Sequence, residues 1–100
     1  RFIRKVTINN QYTKYQIPLL KSTYLIKWFP KSKTNIHSHR GKDCDFIPVW
    51  GDLHEIRYKN QIGKTKKIRQ FHLSHINDEK GKHQVFNYDN YIKWSIHRYY

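Results

Sequence analysis

The sequence is short of cysteine, of acidic residues and of long apolar runs. Cys44 is its one cysteine, so no disulfide can form within the chain. That excludes a disulfide-stapled scaffold and fits a reducing, cytoplasmic setting. Asp and Glu together number 7, against 20 Lys and Arg. Apolar runs extend over only a few residues, too few to span a bilayer, so no membrane partner is expected. There is no paired Cys/His spacing of a zinc finger, no basic helix, no internal repeat and no low-complexity linker. Nothing at the N-terminus follows the charged, apolar and small-residue order of a secretory signal. The chain opens on Arg1 rather than Met, as a processed or trimmed piece would.

The chain has 100 residues, of which 37% are hydrophobic and 16% aromatic. That is material for one modest, ring-rich core, so residues 1–100 are read as a single domain and a monomer is expected. The formal charge of +13 first suggests a polyanion partner, most often nucleic acid. A plainer source competes. With 14 Lys, 12 Ile, 7 Asn and 8 Tyr, the composition is what an AT-rich genome encodes. The cations are spread along the chain, and the densest runs, at 31–33 and 64–67, read as solvated turns. The charge is therefore taken as surface bias, with a nucleic acid or another polyanion as the alternative partner.

Strand formers dominate. Segments rich in Ile, Val, Tyr, Phe, Trp and Thr fall at 2–8, 12–17, 23–29, 35–39, 44–50, 53–58, 66–73, 81–86 and 91–99. Turn-forming residues separate them: Asn9-Asn10, a basic loop at 30–34, Gly51-Asp52, and 60–64 with Gly63. No stretch has helical periodicity. A strand about every ten residues is the rhythm of a sandwich or barrel. The expected fold is all-β, a small antiparallel barrel.

Seven histidines raise the question of a metal. His37 and His39 stand two apart in an extended segment, a spacing that turns both imidazoles to one face. His-x-His alone also suits a solvated strand edge. His54, His72 and His75 have mixed neighbours and no evident role, whereas His83 follows Gly81, and His97 lies in Ser95-Ile96-His97-Arg98-Tyr99.

Together these pieces resemble a known family. His37-x-His39, four residues, Cys44, six residues, Gly51 is similar to the first cupin motif, with Cys where many cupins carry glutamate. Gly81-x-His83, three residues, Asn87 is similar to the end of the second. The cysteine narrows the resemblance to the cysteine dioxygenases. Gly51-Asp52-Leu53-His54-Glu55 resembles that family's Gly-Asn-Leu-Lys-Glu turn, and Ile76-Asn77-Asp78 its Ile-Asn-Asp run. Ser95-x-His97-x-Tyr99 resembles its Ser-His-Tyr row, and Trp28 stands nine residues before His37, as in the family. One departure concerns substrate. The family's carboxylate-binding arginine follows Tyr-Thr, and here Tyr12-Thr13 is followed by Lys14, which keeps the charge and loses the bidentate fork.

The resemblance implies a cupin jelly-roll in which His37, His39 and His83 hold Fe(2+). The substrates it implies are a small-molecule thiol, L-cysteine foremost, and O2, and the product is the sulfinic acid. It implies that Tyr99, His97, Ser95 and Cys44 do catalytic work, with Cys44 joined to Tyr99 through a thioether. Lys14, Tyr12 and Trp28 would bind substrate. A lone cysteine is otherwise an ordinary buried thiol, and Tyr12 and Trp28 equally suit a plain aromatic core. A non-catalytic cupin acting as a basic module for nucleic acid or another polyanion is the alternative function. Arg4, Arg40 or Arg98 is the alternative carboxylate holder.

Overall fold

The computed structural model describes residues 4–38 and 41–100 and, at Asp78, the backbone alone. Its strands are β1 (Arg4–Ile8), β2 (Tyr12–Gln16), β3 (Thr23–Trp28), β4 (Ser32–Lys33), β5 (Cys44–Trp50), β6 (Leu53–Lys59), β7 (Ile62–Ile68), β8 (Ser74–Ile76), β9 (Lys82–Asn87) and β10 (Lys93–Tyr99), with one 3-10 turn at Asp78–Lys80. A six-stranded sheet runs β1-β2-β3-β10-β5-β8, and a four-stranded sheet runs β4-β9-β6-β7. Every strand pair is antiparallel. The all-β jelly-roll expected from the strand rhythm is the fold observed.

The two-residue period of a strand decides what goes inside. On β5, Cys44, Phe46 and Pro48 are buried while Asp45, Ile47 and Val49 are half-exposed. Pro48 is tolerated because its carbonyl accepts from the Phe71 N–H, past the end of the β8 ladder, where the strand needs no donor. Ile26, Trp28, Phe46, Leu53, Ile68 and Val85 form the apolar core between the sheets, with Tyr12 packed against it. The same inward alternation brings in polar groups: Glu55 on β6, His83 on β9, Ser95 and His97 on β10 are all buried. One barrel therefore has an apolar middle and a polar inner wall.

Several boundaries differ from the expected ones. Of the segment expected as a strand at 35–39, the described residues 35–38 contribute an isolated bridge at His37, paired with His83, while Ser32–Lys33 in the expected loop pairs with β9. The strand expected at 66–73 is instead Ile62–Ile68, followed by turns and then β8. Its turn is Asn60-Gln61, both with positive φ (53° and 64°), as a type I′ hairpin requires. Gly63 lies within β7, not in the turn. The runs at 31–33 and 64–67, expected as solvated turns, each enter a strand, because an exposed edge strand can be polar on both faces. Residues 2 and 3 of the first expected strand lie outside the described residues.

Candidate metal centre and its surroundings

His37 and His83 meet across the barrel mouth. Each donates its backbone N–H to the other's carbonyl, at 2.9 and 3.0 Å, and their rings face each other with Nε2 atoms 3.0 Å apart. The far side of each ring fixes its tautomer. His83 Nδ1 lies 2.7 Å from a Glu55 carboxylate oxygen, and His37 Nδ1 lies 2.8 Å from the Asn35 carbonyl. Both partners accept, so both Nδ1 atoms carry a proton, and the two Nε2 atoms make the ring-to-ring contact. Two imidazole nitrogens this close can share one cation, either a proton in an N–H···N hydrogen bond or a metal ion. Burial holds His37 below its ordinary value, reinforced by nearby His83 and Lys14 and opposed by the Asn35 hydrogen bond and the Glu55 charge. Two metal–nitrogen bonds of about 2.1 Å at a right angle would span about 3.0 Å, so the pair fits a transition-metal ion. His39 and Arg40 lie outside the described residues. Among the described residues, no group of three or more His, Cys, Asp or Glu side chains is close enough to hold an ion.

The strand entering His83 is shaped by Gly81, whose φ is 105°. A Cβ there would stand 2.3 Å from the Tyr58 carbonyl oxygen, so only glycine fits. This is the physical reason for glycine in the Gly81-x-His83 pattern.

Behind His83 lies a buried charged chain. Glu55 accepts from His83 on one oxygen and, on the other, from Arg57 Nε at 3.0 Å and Ser74 Oγ at 3.2 Å. Burial would raise the Glu55 carboxyl, but the His83 hydrogen bond and the Arg57 charge outweigh it and hold it below the usual range. A carboxylate behind a histidine, turning the imidazole's other nitrogen forward, is a recurring support of metal sites. Glu55 carried no individual role in the sequence reading. The available signal was its alternation with Leu53 on one strand, which puts a carboxylate on the core face.

A cavity of about 420 Å³ opens at this mouth, walled by His37, His83, Lys14, Tyr12, Trp28, His97 and Tyr99 among others. Tyr99 and Cys44 are direct cross-strand partners, and each group raises or lowers the other's titration, while the Cys44 thiol donates to the Asp45 carbonyl at 3.9 Å. Lys14 Nζ lies 3.3 Å from the Tyr99 oxygen and 4.6 Å from the centroids of both the Tyr24 and Tyr99 rings. Burial pushes the Cys44 thiol up to about 12, against the pull of the Lys14 charge. Burial likewise raises Tyr99, helped by Cys44, and lowers Lys14. Cys44 sits behind Tyr99, off the cavity wall.

Ser95 and His97 form a second chain. Trp28 Nε1 donates to Ser95 Oγ at 2.8 Å, and Ser95 lies 2.7 Å from His97 Nε2. The hydroxyl accepts from the indole and has His97 Nε2 as its second partner. The His97 ring stacks on Phe46, with centroids 4.8 Å apart and planes 7° apart. Of the other candidates, Arg98 pairs with Asp45 at 3.2 Å, and Arg4 bonds Gln16 on the exposed face. Neither lines the cavity. His75, expected to have no role, bonds Asp45 at 2.5 Å outside the cavity.

No family model matches the chain, and no curated protein matches it by sequence. Solved structures do match in shape. The Drosophila melanogaster CENP-C cupin domain superposes with a TM-score of 0.79 at 9% identity, over 98% of this chain and 75% of that one. CapF from Staphylococcus aureus, a capsular polysaccharide assembling protein, gives 0.81 at 13% identity, over 99% of this chain and 28% of that one. The fold is a cupin. Oxalate oxidase in complex with glycolate gives 0.67 at 13% identity, over 77% of this chain and 40% of that one. At these identities the likeness concerns the cupin fold alone. It spans an enzyme and, in CENP-C, a cupin solved bound to the protein CAL1. Among the described residues, no helix is long and apolar enough to cross a membrane.

Proposed function

We propose that this cupin is a thiol dioxygenase that uses iron(II) and O2 to convert L-cysteine, or a related small thiol, to its sulfinic acid. The observation that carries the reading is the facing Nε2 pair of His37 and His83, set in one cavity with Lys14 and Tyr99. His37 and His83 would hold the ion, with His39 as the third ligand that the motif implies. An iron(II) ion held there by neutral imidazoles would supply the redox chemistry that lets dioxygen react with a thiol. The overall change is balanced: RSH + O2 gives RSO2H, sulfur loses four electrons and dioxygen gains four. No external reductant is needed.

The chain's own residues bind and orient. Lys14 offers a carboxylate a single point charge, which orients less tightly than a guanidinium fork. Tyr99 accepts a hydrogen bond from the Lys14 ammonium on its oxygen, at the cavity wall. Glu55 keeps the His83 proton at Nδ1. Cys44, protonated at neutral pH, does not compete with the substrate thiolate for metal. Trp28 and Val85 close the cavity floor against water.

The test is oxygen uptake and sulfinate formation by iron-loaded protein with L-cysteine, 3-mercaptopropionate and a peptide with N-terminal cysteine. Turnover of a carboxylate-bearing thiol, lost in both His37→Ala and His83→Ala, is the expected result. Iron binding with no turnover of any of the three would overturn the reading. Salt-sensitive nucleic-acid binding in its place would favour a basic binding module.

A further inference from the structure

β7 is the outermost strand of the four-stranded sheet, paired on one side with β6. It is 7 residues long, and all but Ile68 are exposed. Its far edge therefore presents a row of backbone donors and acceptors, a ready template for a further strand. The side chains beside that edge are basic. In register, Arg57 stands opposite Lys64 and Glu55 opposite Lys66. Leu53 and its partner Ile68 point into the core. By alternation, Arg57, Lys59, Lys64 and Lys66 lie on that same face, beyond the end of the core. There they line a groove of about 590 Å³ with Lys80, and no carboxylate lines it. Among the described residues, Lys59, Lys64, Lys66 and Lys80 form no ion pair. Arg57 facing Lys64 is a like-charge cross-strand pair, which the fold alone gains nothing from.

We infer that β7 is a docking edge for an extended, acidic peptide segment of a partner protein, which adds a strand beside β7 and sets alternate Asp or Glu residues against Lys64 and Lys66. Three observations select this occupant. An acidic strand is complementary in charge, whereas a second copy of this +13 chain is not. The open edge offers ladder hydrogen bonds that a nucleic acid cannot use. The groove has no aromatic side chain for a base to stack on. Same-face residues on a strand recur about every 6.7 Å, so carboxylates two apart in the partner match Lys64 and Lys66. The edge lysines then serve two ends, repelling copies of the chain and selecting an acidic partner.

The probe is a labelled eight-residue peptide of alternating Glu and Val, read by fluorescence anisotropy and by amide exchange of the whole chain. A peptide of alternating Lys and Val is one control, and oligo-dT is the other. The expected result is salt-sensitive binding of the Glu-Val peptide alone, with new protection of alternate β7 amides. The double substitution Lys64→Glu and Lys66→Glu should weaken it by about tenfold or more, since two exposed attractions become repulsions. Circular dichroism would verify that the variant is folded. Binding without β7 protection, oligo-dT binding in preference to the peptide, or no binding of the peptide overturns the inference.

Discussion

At Cys44 burial and charge pull the thiol in opposite directions, and burial wins, pushing it up to about 12 from 9.0. The folded state therefore holds the Cys44 proton across a window in which the unfolded chain gives it up. Stability from this group is complete below pH 9 and declines as pH rises toward 12, by about 1.4 kcal/mol per unit at most. Tyr99, also raised, acts in the same direction. Thermal melts between pH 8 and 12 should fall steeply for the native chain and less steeply for Cys44→Ser, whose hydroxyl does not titrate there. Equal slopes would refute the assignment. Glu55 gives a second test. Glu55→Gln removes the charge behind His83 and leaves Arg57 without its carboxylate. A chelator-competition titration should show metal affinity reduced about 10- to 100-fold, and denaturant unfolding should show a loss of about 3 kcal/mol. His83 and His37 were legible because their motifs have fixed spacing. Glu55 was not, because its role rests on which face of β6 it occupies and on a partner 28 residues away.

Between elements, two turns set the geometry. Gly81 feeds β9 and His83 into the mouth, and its Cβ site is filled by the Tyr58 carbonyl. Gly81→Ala should cost stability and, by shifting the start of β9, weaken metal binding as well. A variant that melts lower yet binds metal as before would separate the turn from the site. The hairpin of β6 and β7 carries the opposite liability. Gln61 holds φ at 64° without being glycine. Gln61→Gly makes the turn Asn-Gly and should stabilise the chain by about 0.5–1 kcal/mol, read as a higher melting temperature. This hairpin is also where the sequence reading slipped. The stretch 60–64 reads as a turn because Gly63 and the lysines interrupt any alternation, and an edge strand with both faces wet needs none. The interior strands Cys44–Trp50 and Leu53–Lys59 alternate because each has one buried face, and their boundaries were legible to within a residue.

Across the whole molecule, the fold follows from that rhythm of half-buried strands, whereas the placement of charge does not. Twenty cations face seven acids, and Glu55 and Asp45 are already held by His83, Arg57, His75 and Arg98. The folded chain therefore repels itself, and salt relieves this as the screening length falls from about 30 Å at 0.01 M to about 10 Å at 0.1 M. Its melting temperature should rise with salt over that range. Lys64 offers a local version of the same test. It stands opposite Arg57, so Lys64→Glu turns a like-charge pair into an opposite one. This substitution should raise the melting temperature at low salt by a few degrees, roughly what 1 kcal/mol or less gives a domain of this size. The gain should shrink at high salt. The same change should weaken capture of an acidic strand by β7, so one residue would trade stability against binding. If Lys64→Glu stabilises the chain equally at all salt concentrations, the gain is not electrostatic and the Arg57–Lys64 repulsion is not what the fold carries.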